Sequence, residues 1–536
     1  MRNNYFRVIF VIIVIGLIVF AAYYLNKKDE VAPSNDINEL IQTNTEEITN
    51  VRLSISNIDN LNPILSKNQN VQDICKLIFE PLLKVTEDYK LENCLATEWS
   101  KAGEKVILIK LREGVKWHNG NDFSARDVKY TIEKIKEMGN DSIYFSNVQK
   151  IDSVEIVGNS IIKLLLSEDE PFFEYNLTFP IISAAFYGED DIRDTEKNKI
   201  PMGTGMYKIK AVDFNKQIEL KDNPNWWNIQ NIKPKIKKIV IKIYSSISEA
   251  YNAYKLGSID MITTMKINNI EENIGTIGYN IRETYGREFD FIALNTEGNA
   301  MMNIEVRQAI NYAINRQDII NSVYNGKYIE ADYPLSYGSY LYNKESSNYE
   351  YNPDRAKQIL VDNGWTYTNK YWQKKINNSY VRLKLSLLVN SYNGQRADVA
   401  NKIKEQLENI GIQVNVISVK DRTYDNYVSN KNYDMFLTGV TVGLSPDLNK
   451  YFGEDNFANY TNEDAKSILS DVRNISDENM LKEKFNTLQS IYQDDRAYIG
   501  LYFNKITTVF SKSLSGTVSP TWYNLFYNIE TWYRKR

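Results

Sequence analysis

The chain has 536 residues, with 64 Lys and Arg against 68 Asp and Glu, a net charge of −4 and a single histidine. That length leaves room for two or three domains around a large buried core, while near-balanced charge without a basic stripe disfavours nucleic acid as a partner. Cys75 and Cys94 form neither a CxxC nor a zinc spacing, and they read as two buried free thiols rather than a disulfide.

Val8 to Leu25 is an unbroken apolar run, about 27 Å long as a helix and just enough to cross a hydrocarbon core. Val19-Phe20-Ala21 keeps a cleaved signal peptide open. The run continues through Tyr23, Tyr24 and Leu25, which favours an uncleaved transmembrane anchor over residues 1–28. Residues 29–50 carry six acidic side chains and no basic one, and read as a flexible linker spanning roughly 26 Å.

Val51 to Ser56 alternates as a strand and is followed by Asn60-Leu61-Asn62-Pro63. A helix is expected over Val71 to Leu83. The densest signal follows, from Lys110 to Lys134: KLREGVKWHNGNDFSARDVKYTIEK. Its approach alternates through Ile107, Ile109 and Leu111, Asn119-Gly120 marks a tight turn, and Ser124 with Asp127 starts a helix carrying Val128, Ile132 and Ile135 on one face. His118 in that turn is the chain's one candidate for imidazole chemistry, but with no second histidine a structural turn role is favoured over a metal or triad role.

Val154 to Val157 and Ile161 to Leu166 read as a hairpin through Gly158-Asn159. Pro201-Met202-Gly203-Thr204-Gly205-Met206-Tyr207 lacks a phosphate-loop ending and reads as a tight backbone turn; Asn223-Pro224-Asn225-Trp226-Trp227 follows. Lys238 to Tyr244, Ser248 to Leu256 and Gly257 to Met261 form a strand-helix-strand unit. Beyond it come strand Glu288 to Thr296 and helix Val306 to Ile314, then a helix from Asn352-Pro353-Asp354 to Leu360. Strand Leu383 to Val389, helix Arg396 to Ile410, strands Val414 to Val419 and Met435 to Gly439, helices Ala465 to Val472 and Met480 to Tyr492, and strands Tyr498 to Phe503 and Thr507 to Phe510 complete the chain.

The Lys110 block, the Asn60 turn, the Gly203 and Trp226 segments and the Gly257-Ser258-Ile259-Asp260 step together resemble the family 5 extracellular solute-binding proteins, the oligopeptide, dipeptide and nickel receptors of ABC importers. The resemblance runs from about residue 50 to the end. It implies an α/β, bilobed periplasmic-binding-protein-like fold with a hinge and an inserted subdomain, following the N-terminal transmembrane helix. Lobe I would comprise residues 51–72, 201–290 and 505–536, with the insertion at 73–200 and lobe II at 291–504. No lipid-accepting cysteine follows the apolar run, which departs from the usual lipoprotein members and places the chain on the extracytoplasmic face by its own helix, with secretion after cleavage as the alternative.

The same resemblance puts the site in the cleft between the lobes and nominates Asn60, Asn295, Asn390, Tyr392, Val440, Thr441 and Asp447 as ligand contacts. Peptide-binding members hold the peptide amine with an aspartate where this chain has Val442 or Gly443, and the frequent tryptophan is Val440. An ammonium buried without a carboxylate costs several kcal/mol, so the usual amine anchor is not expected. Asp447 follows Pro446 and is expected to cap the next turn. Asn390-Ser391-Tyr392-Asn393 stands where dipeptide binders carry an arginine, and Arg396 falls on the following helix. The implied function is a monomeric receptor delivering peptides to an ABC permease, with no cofactor and no bound metal. A non-peptide solute (oligosaccharide or metal chelate) and a membrane-tethered sensor are the alternatives. No H-E-x-x-H, G-x-S-x-G or calcium-loop motif points to an enzyme.

Overall fold

The computed structural model describes residues 49–264, 273–275, 278–346, 350–376 and 378–535. Its framework is an 11-stranded mixed sheet in the order Gln413–Val419, Lys384–Asn390, Met435–Thr441, Tyr279–Leu294, Tyr498–Ser511, Met261–Thr264, Asn50–Ile55, Lys238–Ile243, Gln217–Asp222 and Tyr207–Asp213, with Tyr328–Glu330 paired to Tyr498–Ser511 off this path. The two longest strands, Tyr279–Leu294 and Tyr498–Ser511, run antiparallel through the middle and join two α/β halves. Their pairing slips between Tyr285↔Lys505 and Phe289↔Phe503. In this bulge the Asn504 side chain accepts the Glu288 N–H at 3.0 Å, and a Cβ on Gly286 would lie 2.0 Å from Asn504 Oδ1. A bulge leaves residues unpaired and bends the strand, so the connection between the halves is irregular where they meet.

Beyond the bulge the strand is buried on both faces. Ile292 and Leu294 pack in one apolar core with helices Ile304–Ala313, Arg316–Tyr324, Pro353–Asp362 and Gly394–Asn409, while Phe289, Phe291 and Ala293 face another. That period-two division is the strand pleat at work. Two expectations change here. The strand expected from Glu288 begins at Tyr279, because its largely exposed first half is paired residue by residue with Ser511 to Lys505. The separate strands Tyr498 to Phe503 and Thr507 to Phe510 are one, since Lys505 and Ile506 stay paired with Tyr285 and Thr284.

The other half shares one apolar core with residues 73–200, running from Val51 through Ile132 and Leu164 to Ile241 and Trp532. Those residues add a separate 4-stranded sheet, Ala96–Lys101, Val106–Leu111, Ile161–Leu166 and Ile151–Val157. Helix Ala125–Met138 lies against it; Ser124 N donates to Asp127 Oδ2 at 2.8 Å and Val128, Ile132 and Ile135 are fully buried. The helix expected over Val71 to Leu83 is Gln69–Ile78; it stops short of Pro81, and Leu83 opens a short strand.

The glycines of the Pro201 segment serve close approach, correcting the expected tight turn. Gly205 N donates to Ile78 O at 2.8 Å, and a Cβ on Gly203 or Gly205 would lie 1.9 or 2.7 Å from the same oxygen. His118 locks onto this segment: its N–H donates to Gly203 O at 2.9 Å and its Nε2 lies 3.1 Å from Gly205 O. Because a carbonyl only accepts, Nε2 carries the proton. Burial pulls the imidazole down to about 4 from its ordinary 6.5. Glu80 closes the same region: it accepts from Thr204 Oγ1 at 2.8 Å, Trp226 Nε1 at 2.9 Å and Trp227 Nε1 at 3.0 Å, and burial raises its pKa. Three stretches that look unrelated in the sequence thus form one polar knot.

Cys75 and Cys94 are both free and buried, and burial pushes both thiols above their usual range. Among the described residues no helix is long and apolar enough to cross a membrane. The expected anchor over Val8 to Leu25 and the linker up to residue 48 lie outside the described residues.

Candidate ligand site between the lobes

The halves meet along a seam built from five separate segments of the chain. From the first half come Thr86 to Leu91 and Trp522-Tyr523; from the second come Ser336 to Lys344 and Val442 to Leu444; the central strand contributes Tyr285 and Arg287. Tyr89 is the pivot. It sits in the left-handed region at φ 67°, which a non-glycine residue adopts only when its surroundings hold it there. Its hydroxyl accepts from Trp522 Nε1 at 2.9 Å, its carbonyl accepts from Tyr175 OH at 2.9 Å, and its ring stands edge-on to Tyr523 at 5.4 Å. Burial pushes its phenol up to about 12.

Opposite Tyr89 lies Gly338, where a Cβ would meet the Tyr89 ring at 3.4 Å and the Tyr285 ring at 3.8 Å. Tyr285 packs on Tyr337 with ring centres 4.5 Å apart, and the Lys344 ammonium lies 4.8 Å above Tyr337 and 5.6 Å above Tyr285. At the other end the Arg287 guanidinium covers Trp522 at 4.8 Å. Polar contacts bind the margins: Tyr340 N donates to Asp88 O at 2.9 Å, Lys90 meets Glu478 at 2.8 Å and Arg473 meets Asp169 at 3.0 Å. Beside the seam, on the edge of the central sheet, an open cavity of about 260 Å³ is lined by Gln317, Tyr328, Glu330, Tyr337 and Lys505.

The residues nominated from the sequence fall in several places. Val440 and Thr441 end strand Met435–Thr441 opposite Phe289 and Glu288, and Thr441 Oγ1 donates to Glu288 Oε1 at 3.0 Å. Val442, which with Gly443 is one of the two positions expected in place of an aspartate, is buried in apolar surroundings and its N–H donates to Arg287 O at 2.8 Å. Gly443 O accepts from Ser336 Oγ at 3.5 Å. Asp447 accepts from the Asn449 N–H at 2.9 Å and from its side chain, which is the turn-capping arrangement. Asn60 accepts from Asn62 N at 2.8 Å within its own turn. Asn295 uses its amide on Lys431 O, Tyr433 O and Asn459, at the end of the central strand far along from the bulge. Asn390 holds Tyr392 N, and the Tyr392 hydroxyl donates to Asp421 at 2.6 Å near the outer edge strand. Arg396 is bidentate to buried Asp290 at 2.7 and 3.0 Å, which raises its pKa further above the ordinary arginine value.

The seam aromatics and cations went unnominated because no local motif marks them. Only the tyrosine-rich run Tyr333 to Tyr342 and the Trp522-Tyr523 pair hinted at them. Among the described residues no group of three or more His, Cys, Asp or Glu side chains is placed to hold a metal ion.

Two α/β halves, a two-strand connection and a seam assembled from both sides define a bilobed binding protein of the periplasmic type. The chain belongs to the bacterial extracellular solute-binding proteins, family 5, whose model matches residues 90–460. It is 25% identical over 497 residues to the oligopeptide-binding protein AppA of Bacillus subtilis, covering 88% of this chain and 89% of that protein. It is 22% identical to heme-binding protein A of Haemophilus influenzae, over 82% of this chain and 84% of that one. Among solved structures, the nickel ABC transporter protein of Bacillus halodurans superposes with a TM-score of 0.76 at 18% identity, over 90% of this chain and 100% of that one.

Proposed function

We propose that the chain is the ligand-binding receptor of an ABC importer, that it binds peptides between its lobes, and that it passes them to a membrane permease. The observation that carries this is the seam itself: rigid aromatic faces from both halves converge beside an irregular two-strand connection, the arrangement expected of lobes that close over a ligand. Similarity to an oligopeptide-binding protein along nearly the whole chain favours peptides. The working partition is lobe I at 51–72, 201–290 and 505–536, the insertion at 73–200 and lobe II at 291–504. The ligand contacts are taken as Val440 and Thr441 together with Tyr89, Tyr285, Arg287, Tyr337, Lys344 and Trp522. The receptor reading carries no catalytic step. The apolar run Val8 to Leu25 would hold it on the extracytoplasmic face.

A non-peptide solute is the second reading, favoured by the heme and nickel relatives. Native mass spectrometry of gently purified protein, followed by denaturation, distinguishes them. Released peptides of mixed sequence are expected. A single non-peptide mass would overturn the peptide assignment while keeping the receptor.

A further inference from the structure

We propose that the ligand is acidic: the site takes peptides through their carboxylates, between Arg287 and Lys344, and needs no free amine. This rests on the peptide reading above. The two cations are exposed, each is laid on an aromatic face, and among the described residues neither has a carboxylate partner. They are joined through one continuous chain of contacts: Arg287 on Trp522, Trp522 bonded to Tyr89, Tyr89 against Gly338, Gly338 against Tyr285, and Tyr285 on Tyr337 beneath Lys344. A guanidinium stacked on a ring keeps its N–H groups in the plane of the fork, where they meet a carboxylate edge-on.

Most carboxylates along this stretch are engaged; Glu330, in the wall of the cavity with Tyr337, and exposed Glu345 pair with no cation among the described residues. Glu87 faces Arg282 at 3.5 Å, Asp88 takes the Thr86 hydroxyl and pairs with Lys90 at 3.7 Å, and Glu283 pairs with Lys327 at 3.6 Å and Lys505 at 3.3 Å. Glu288, which follows Arg287, bonds Thr441 on the face shared with Asp290 and Arg396. Val442 and Gly443, the two positions where the resemblance puts an amine-holding aspartate, carry no carboxylate. The surface therefore offers two cations held ready by rings, neither of them neutralised by a carboxylate among the described residues. A carboxylate arriving there gains charge-assisted hydrogen bonds, whereas an ammonium meets like charge.

The test uses the full chain and a mixed-length casein digest, half of it N-acetylated, with retained peptides identified by mass spectrometry. The retained pool is expected to be about tenfold richer in Asp and Glu relative to Lys and Arg than the input, equally for acetylated and free peptides. A chain carrying Arg287→Gln and Lys344→Gln, two exposed positions, should retain about tenfold less peptide, without acidic enrichment, and show the thermal midpoint of the parent. Retention without acidic enrichment, enrichment that survives both substitutions, or a requirement for the free amine would each overturn the proposal and leave peptide binding standing. Retention of no peptide at all would overturn the peptide reading and this proposal with it.

Discussion

Because the chain holds one histidine, its pH response can be tested at a single side chain. In the folded protein His118 is neutral, donates from Nε2 to Gly205 O and titrates at about 4, against 6.5 when exposed. Between those values the unfolded chain binds the extra proton and the folded chain refuses it, so stability rises with pH across the window and is lost as pH falls through it. The whole interval is worth about 3 kcal/mol, and lowering the pH from 7 to 5 should remove on the order of 2 kcal/mol. Buried Glu80, with its raised pKa, works in the opposite direction and would mask part of this in the parent alone. His118→Gln keeps a donor near Nε2 and does not titrate. Urea unfolding of both chains at pH 7 and pH 5 isolates the histidine, since every other group is common to them. The parent's advantage at pH 7 should shrink or invert by about 2 kcal/mol at pH 5. An advantage constant to within about 0.5 kcal/mol would refute the buried neutral imidazole.

Glu80→Ala strands two indole N–H groups and the Thr204 hydroxyl and should cost about 3–5 kcal/mol in urea unfolding, whereas Glu80→Gln, which keeps a carbonyl oxygen for the indoles and an amide that the Thr204 hydroxyl can turn to accept, should stay within about 1 kcal/mol. Gly439→Ala places a Cβ 2.1 Å from Asp290 Oδ1 and 2.3 Å from an Arg396 nitrogen; breaking that buried pair should lower stability by about 3 kcal/mol or more, read as a lower thermal midpoint. Gly286→Ala must displace the Asn504 side chain from the bulge, and by titration calorimetry it should change affinity for the peptides released from the native protein more than it changes the thermal midpoint. Asp447→Ala removes only a turn cap, so retention of those peptides should fall less than about twofold, with a stability loss of about 1 kcal/mol.

Elements with their own period were readable in advance. Helix Ala125–Met138 announced itself through Ser124, Asp127 and the spacing of Val128, Ile132 and Ile135, and Asn352-Pro353 marked the start of Pro353–Asp362. What escaped was whatever depends on a partner far along the chain. The first half of Tyr279–Leu294 carries only a short alternation broken at Glu283, and it is a strand by virtue of Tyr498–Ser511, more than two hundred residues later. Gly203 and Gly205 look like turn residues until Ile78 is brought against them. The seam follows the same logic. Tyr89, Arg287, Gly338 and Trp522 are ordinary residues in their own segments, and only the folding of both halves onto the two central strands brings them together. The mismatch at Val442 or Gly443 could be read from the sequence because a resemblance supplied the aspartate to compare it with. The part proposed for Arg287 and Lys344 could not, since both lie at positions that no local pattern marks.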